Sequence, residues 1–385
     1  MKPATIEFLK KRFASYYNGD LKGAGAVYTP TSMPQREWGF LFFSETPKPS
    51  MRRHLAFNTE EDLQTYLKSM TPAHVYYSSA YYAHPSAPQM ADKEWLGADL
   101  IFDLDADHIL HAAYDVMLSR VKEELFKLID MLTGELGFTR KDLKINFSGG
   151  RGYHIHIPLL SVRNWGTSER REVVNYVSGT GISAESMFSA GENNKWRLRF
   201  SAATDAELAE IEELVTKSPE DAVSKLTGIS GFTEKNALPF CKNISHLRGT
   251  LQQNPSSLKD NILLKNILSM ENNPSFRDKF LSHAAQCDEP VSTDVKRLIR
   301  YPGSLHGGSG MRVVPIDIDD LNDFDPLIDA VVFGDRNTQV TCKFPLKMTM
   351  LENTYSLEQG VNTVPEALAV FLCCRGIAEY GVVEI

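Results

Sequence analysis

Apolar and polar positions along this chain follow two periods, and the changes from one to the other divide it into elements. Residues 6–17 carry apolar side chains at helical spacing and predict an opening helix. Residues 37–43 (EWGFLFF) are rich in aromatics and read as a strand. A second helix is expected over 60–70, capped by Asn58 and Thr59, with Leu63, Tyr66, Leu67 and Met70 on one face. Alternation at 98–105 (ADLIFDLD) predicts a strand with Leu100, Phe102 and Leu104 on one side and Ile101, Asp103 and Asp105 on the other. A long amphipathic helix follows over 114–133, carrying Val121, Leu125, Leu128 and Leu132 and stopped by Gly134 and Gly137. Residues 143–147 and 153–157 form a predicted hairpin around the turn Ser148-Gly149-Gly150-Arg151-Gly152.

From about 165 to 286 the pattern changes to polar helices, expected at 169–177, 205–216, 219–226 and 258–270. Strand character returns at 311–318 and 340–345, and a last helix is expected over 365–375. The chain is therefore expected to be of the α/β (α+β) class: a mixed core of sheets and helices in two parts at 1–164 and 287–385, with a helical lobe inserted at 165–286.

Composition narrows this little. With 42% hydrophobic and 23% charged residues over 385 positions, the chain has ample material for a globular core. No stretch reaches the roughly 20 apolar residues a bilayer span needs, and the first residues lack the apolar core of a signal peptide, so no membrane association and a cytoplasmic location are expected. The five cysteines, Cys241, Cys287, Cys342, Cys373 and Cys374, have no C-x-x-C spacing and read as free buried thiols. A net charge of -8 argues against coating nucleic acid by bulk electrostatics and leaves only local basic clusters, at 10–12, 52–53, 195–199 and 296–300.

Three segments carry candidate chemistry. Asp103 and Asp105 point the same way from one strand end; their mutual repulsion is relieved by a hard divalent cation, although D-x-D also occurs on solvated strand ends. In Ser148 to His156 (SGGRGYHIH), a glycine-rich turn beside Arg151 offers backbone N–H groups to phosphate oxygens, or is a plain tight hairpin with His154 and His156 on one face. The third segment, 287–315, holds Asp288, then Lys296, Arg297 and Arg300, then Ser304 and His306 before a second glycine-rich turn. Taken alone, its basic residues would compensate the dipole at a helix C-terminus.

These residues resemble the small catalytic subunit of archaeal and eukaryotic DNA primases. The resemblance rests on FDLD at 102–105, the S-G-x-R-G-x-H pattern at 148–154, and the run from Asp288 through KRLIRYPGSLH to His306, and it spans about 37–317. It implies that Asp103, Asp105 and Asp288 hold two Mg²⁺ or Mn²⁺ ions. Ser148, Arg151, His154, Arg300 and His306 would bind the triphosphate of an incoming nucleotide, with Arg53 a weaker match to a further phosphate-contacting arginine. The implied reaction is primer synthesis from nucleoside triphosphates on a single-stranded DNA template, with release of pyrophosphate, in a heterodimer with a large primase subunit.

The sequence departs from the family pattern in two places. Many relatives carry a Cys/His zinc knuckle soon after the D-x-D strand, whereas 107–121 offers His108 and His111 without cysteine, so no structural zinc is expected. Eukaryotic relatives tend to have an arginine where Gly150 stands. Competing readings are a primase-like gap-filling polymerase, which would prefer primed DNA, a noncatalytic nucleotide- or DNA-binding subunit on the same fold, and a metal-dependent nuclease, which leaves the triphosphate ligands unexplained.

Overall fold

The structure, a computed structural model, describes residues 1–21, 23–24, 28–45, 50–106, 112–254 and 260–383. It divides into two compact units, one of residues 1–126, 137–172 and 287–385, the other of 127–136 and 173–286.

In the first unit the strands run in chain order β1 (Trp38–Leu41), β2 (Arg52–Leu55), β3 (His74–Ser78), β4 (Ala80–Tyr82) and β5 (Trp95–Ala98), then β6 (Leu100–Asp105), β7 (Lys144–Phe147), β8 (Gly152–Ile157), β9 (Leu298–Arg300) and β10 (Val314–Ile316). They assemble into two four-stranded antiparallel sheets, ordered β2-β1-β3-β9 and β10-β7-β8-β6, beside a two-stranded β4-β5 ribbon. The C-terminal part adds β11 (Asn337–Cys342), β12 (Leu346–Met350), β13 (Asn353–Leu357), β14 (Gly360–Pro365) and β15 (Ala378–Tyr380), paired as β14-β11-β15 and β12-β13. The class is the expected one, helices with antiparallel sheets.

Local chemistry accounts for the elements that frame the site. The first helix, α1 (Pro3–Asn18), buries Phe8, Leu9, Phe13, Tyr16 and Tyr17 and ends at Gly19, whose φ of 98° supplies the left-handed cap. Its two tyrosines hold the loop ahead of His306: the Tyr16 hydroxyl donates to the Gly303 carbonyl at 2.6 Å, and the Leu305 N–H donates to the Tyr17 hydroxyl at 3.3 Å. Helix α2 (Glu60–Met70) is capped by Thr59, whose side chain accepts from the Asp62 N–H. In α3 (Tyr114–Gly134), Val121, Leu125, Leu128 and Leu132 are all fully buried.

The second unit is helical, with helices at Ala184–Ser189, Lys195–Lys217, Pro219–Thr227, Glu234–Gln253, Ile262–Ile267 and Pro274–Leu281. It is centred on Trp196, Phe200, Phe276 and Phe280. Its limits differ from those expected at 165–286, for two physical reasons. Arg170, on the helix Thr167–Ser178, is buried and donates to the Asp99 and Ala98 carbonyls at 2.7 and 3.0 Å, which fastens the start of that helix to the strands. The end of α3 belongs with the lobe, where Glu135 pairs with Arg199 and accepts from Tyr176.

Other expectations need correction. The basic run 296–300 is not a helix end: residues 298–300 form β9, paired with β3. The helix expected over 258–270 is confined to Ile262–Ile267, residues 255–259 lying outside the description. The expected helices do not include Glu234–Gln253, which contains Pro239; lacking an N–H, that proline cannot donate to the Lys235 carbonyl one turn earlier. All five cysteines are free. No helix among the described residues is long and apolar enough to cross a membrane.

Candidate active site

The site is built where two strands pair. In β6, Leu100, Phe102 and Leu104 are buried on one face, which leaves Asp103 and Asp105 together on the other, partly exposed. Strand β8 lies antiparallel to it, with Asp103 opposite His154 and Asp105 opposite Gly152. The pairing at Gly152 leaves no room for a side chain: a Cβ there would lie 2.0 Å from the Leu104 carbonyl oxygen.

Asp288 comes to this strand from far along the chain. Its backbone N–H donates to the Asp103 carbonyl at 2.8 Å, and its own carbonyl then accepts from the Ser292 N–H as the short helix Glu289–Thr293 begins. The main chain at Asp288 is therefore joined to the strand that carries Asp103 and Asp105. Among the described residues, no three His, Cys, Asp or Glu side chains converge into a closed ligand set. The donor chemistry nevertheless suits a hard divalent cation, being all carboxylate oxygen. The fit is thus one of ligand type and proximity, without a preformed cage.

Cationic and imidazole groups border the carboxylates. Arg151 Nε lies 3.8 Å from Asp105 Oδ1. His154 Nε2 lies 3.3 Å from Asp103 Oδ1. Burial, then the charges of Arg300 and Arg297, push the His154 pKa down to about 3, which keeps the ring neutral, so this approach is not an ion pair. Behind it, His156 is stacked on Tyr77 of the other large sheet, and the Tyr77 hydroxyl meets His156 Nδ1 at 3.3 Å.

The glycine-rich turn differs in one respect from its expected use. Ser148 Oγ accepts from the N–H groups of both Gly150 and Gly152 at 3.2 Å, so these two amides are spent within the turn and are not presented to a ligand. A tight turn that is buried must satisfy its own donors. Gly149, with φ of 74°, lets the turn pack against the loop after β9: a Cβ there would meet the His306 Cβ at 2.8 Å. Ser309 Oγ donates to the Gly149 carbonyl, tying the two glycine-rich segments together. At Gly150 a Cβ would lie 3.2 Å from His306 Nε2, so a larger residue at that position would crowd His306. His306 is half-buried; desolvation, then the Arg300 charge, push its pKa well below the usual histidine range, and its Nδ1 accepts from the Gly308 N–H at 3.2 Å.

Arg300 ends β9 directly opposite Tyr76 of β3. Its Nη1 donates to the Tyr76 hydroxyl at 3.1 Å and to His74 Nδ1 at 2.8 Å, with the guanidinium over the Tyr76 ring. Arg53 is engaged elsewhere: it makes a two-pronged pair with Glu37 at 3.0 and 3.3 Å, and Glu37 is fully buried with Lys93 3.7 Å away. A buried carboxylate needs such countercharges, and they tie Arg53 down where it stands. Asp107, His108 and His111 lie outside the described residues.

Sequence reading missed the supports. His74 and Tyr76 alternate on one face of β3, a polar-aromatic pattern that 74–78 (HVYYS) does carry. At the start of β6, Arg36 pairs with Asp99 at 2.8 Å and donates to the Ser78 and Ser79 carbonyls at 3.0 and 2.7 Å, all of it buried.

The sequence model of the DNA primase small subunit family matches residues 102–318, from the first carboxylate strand to just past β10. A DNA primase small subunit PriS of Methanocorpusculum labreanum is 63% identical over 98% of this chain and 99% of its own length. Those of Methanosphaerula palustris and Methanoregula boonei are 50% and 49% identical, each over 98% of this chain.

Proposed function

The chain belongs to the DNA primase small subunit family, and on that premise we propose that it is the catalytic subunit of a primase, making short primers on single-stranded DNA from nucleoside triphosphates and releasing pyrophosphate. The observation that supports this reading is the Asp288 amide bonded to the Asp103 carbonyl, which joins the Asp288 main chain to the strand that carries Asp103 and Asp105.

Asp103, Asp105 and Asp288 would hold two Mg²⁺ or Mn²⁺ ions, which when bound supply positive charge beside the attacking hydroxyl and the reacting phosphate. The protein's own groups bind and orient. Arg300 and Arg151 neutralise triphosphate oxygens, and His306, whose Nδ1 accepts from the Gly308 N–H, offers its other ring nitrogen as an N–H donor, while His154, with Nε2 beside Asp103, reaches a phosphate oxygen only by exchanging that contact. Ser148 fixes the turn that carries Arg151 and packs on His306, so the phosphate ligands from the two glycine-rich segments move as one body. No covalent intermediate with the protein is involved.

With a net charge of -8 and only small basic clusters, template affinity comes chiefly from a partner, the large primase subunit. The protein acts in the cytoplasm and carries no structural zinc, since His108 and His111 alone cannot complete a tetrahedral site. Elemental analysis returning one tightly held zinc per chain would reverse that last point.

The test is labelled primer synthesis on an unprimed single strand, with and without the large subunit. Products that begin without a primer support the proposal. Extension of primed strands alone would make the protein a gap-filling polymerase, and no incorporation even with the large subunit would leave a binding role.

A further inference from the structure

Arg300 and His306 belong to different elements, the end of β9 and the loop beyond it, and one side chain touches both. His74 Nδ1 accepts from Arg300 Nη1 at 2.8 Å and from the Gly307 N–H at 3.3 Å. Its ring meets His306 edge-on, with centroids 5.0 Å apart.

We propose that His74 is a positioning residue for the triphosphate grip: a single nitrogen fixes both the direction of the Arg300 guanidinium and the seat of the loop that carries His306. The inference rests on the reading of Arg300 and His306 as triphosphate ligands.

The geometry makes this arrangement specific. Tyr76 is directly opposite Arg300 across the β3-β9 ladder, and His74, two residues back, shares its face, so Arg300 reaches diagonally along β3 to His74. Tyr76 alone would leave a long, flexible side chain held by one hydroxyl and a ring face; the second acceptor removes the remaining swing. The loop approaches His74 so closely that a side chain at Gly307 could not be accommodated: a Cβ there would lie 2.7 Å from His74 Nε2, 2.8 Å from the Ala73 carbonyl oxygen and 2.9 Å from the Ala73 Cβ. Two N–H donors aimed at one nitrogen require a free lone pair there, which an imidazolium lacks. Burial, then the neighbouring Arg300 charge, lower the His74 pKa to about 3, so the ring remains an acceptor. A lysine or arginine could not take its place.

Two variants of nearly equal size separate the acceptor from the volume: His74→Asn keeps an acceptor oxygen close to the Nδ1 position, and His74→Leu has none. The measurements are KM for the nucleoside triphosphate, kcat, equilibrium binding of the triphosphate and of the matching nucleoside monophosphate, and melting temperature. His74→Ala replaces His74→Leu should the latter not fold.

His74→Leu is expected to raise KM and weaken triphosphate binding about tenfold, the size of losing a hydrogen bond to a charged group, with kcat and monophosphate binding little changed. His74→Asn should restore most of the affinity. In an Arg300→Ala background His74→Leu should add little further, because the two residues act through one contact.

Unchanged triphosphate affinity in His74→Leu, while Arg300→Ala weakens it, overturns the inference and leaves the functional reading standing. Equal losses for triphosphate and monophosphate, or full additivity with Arg300→Ala, also overturn it by reducing His74 to a packing residue. If Arg300→Ala and His306→Ala themselves bind triphosphate normally, the functional reading falls and takes the inference with it.

Discussion

The N–H of Asp288 donates to the carbonyl of Asp103 at 2.8 Å, although an entire helical unit separates the two in sequence. A main-chain bond of this kind sets backbone position independently of side-chain charge, so each carboxylate can be neutralised without dismantling the strand end that presents it.

Accordingly, Asp103→Asn, Asp105→Asn and Asp288→Asn are each expected to lose primer synthesis while remaining folded. The melting temperature in metal-free buffer should hold or rise, because one member of a mutually repelling set is gone, and stabilisation by Mn²⁺ with nucleotide should shrink. Near-parental primer synthesis in any two of these variants would sink the two-metal reading.

Gly152 tests how tightly β6 and β8 must pair. Its absent Cβ would lie 2.0 Å from a backbone carbonyl, so Gly152→Ala must push the strands apart beside Asp105. A loss of about 1–3 kcal/mol in urea unfolding is expected, together with reduced activity. Gly134→Ala, with nothing within 4 Å of the new methyl, is the control and should be neutral or mildly stabilising. Equal behaviour of the two variants would refute the close approach.

Asp99 stands immediately before the carboxylate strand, paired at 2.8 Å with an Arg36 that is itself buried. Removing one partner strands a charge away from water, so Asp99→Ala should cost about 3–5 kcal/mol. Asp99→Asn, which keeps a hydrogen-bond acceptor, should cost less. Thermal unfolding of both variants decides; a loss below that of an ordinary surface substitution in Asp99→Ala would mean that the pair is hydrated.

Burial, then His154, push the His156 pKa from 6.5 down to about 3. The folded chain keeps this ring neutral where the unfolded chain takes up a proton. Its contribution to the pH dependence is therefore flat above 6.5, and stability is lost as pH falls from there towards 3, by up to about 1.4 kcal/mol per pH unit. His156→Phe should reduce the slope of unfolding free energy against pH in that window by the equivalent of one proton, whatever it does to absolute stability. An unchanged slope would mean that His156 is protonated in the folded protein.

Much of this fold was legible because its signals are local. The apolar face of α3, the Thr59 cap and the alternation that puts Asp103 and Asp105 on one side of β6 all depend on residues within a few positions of one another, where helix and strand periods dictate direction. The hairpin around 148–152 was equally visible, since glycine supplies the positive φ that a tight reversal such as the one at Gly149 needs. What the sequence could not decide depends on strands paired across long separations. Pairing with β3 makes a strand of 298–300 and aims Arg300 at Tyr76 and His74, and only that pairing marks His74 as part of the site. The same holds for Arg53, drawn to a buried Glu37, and for the turn amides satisfied by Ser148. Residue spacing conveys which chemistry a segment carries; which groups are already occupied by buried partners is a property of packing, where every buried charge and donor must be satisfied by whatever neighbour the tertiary structure supplies.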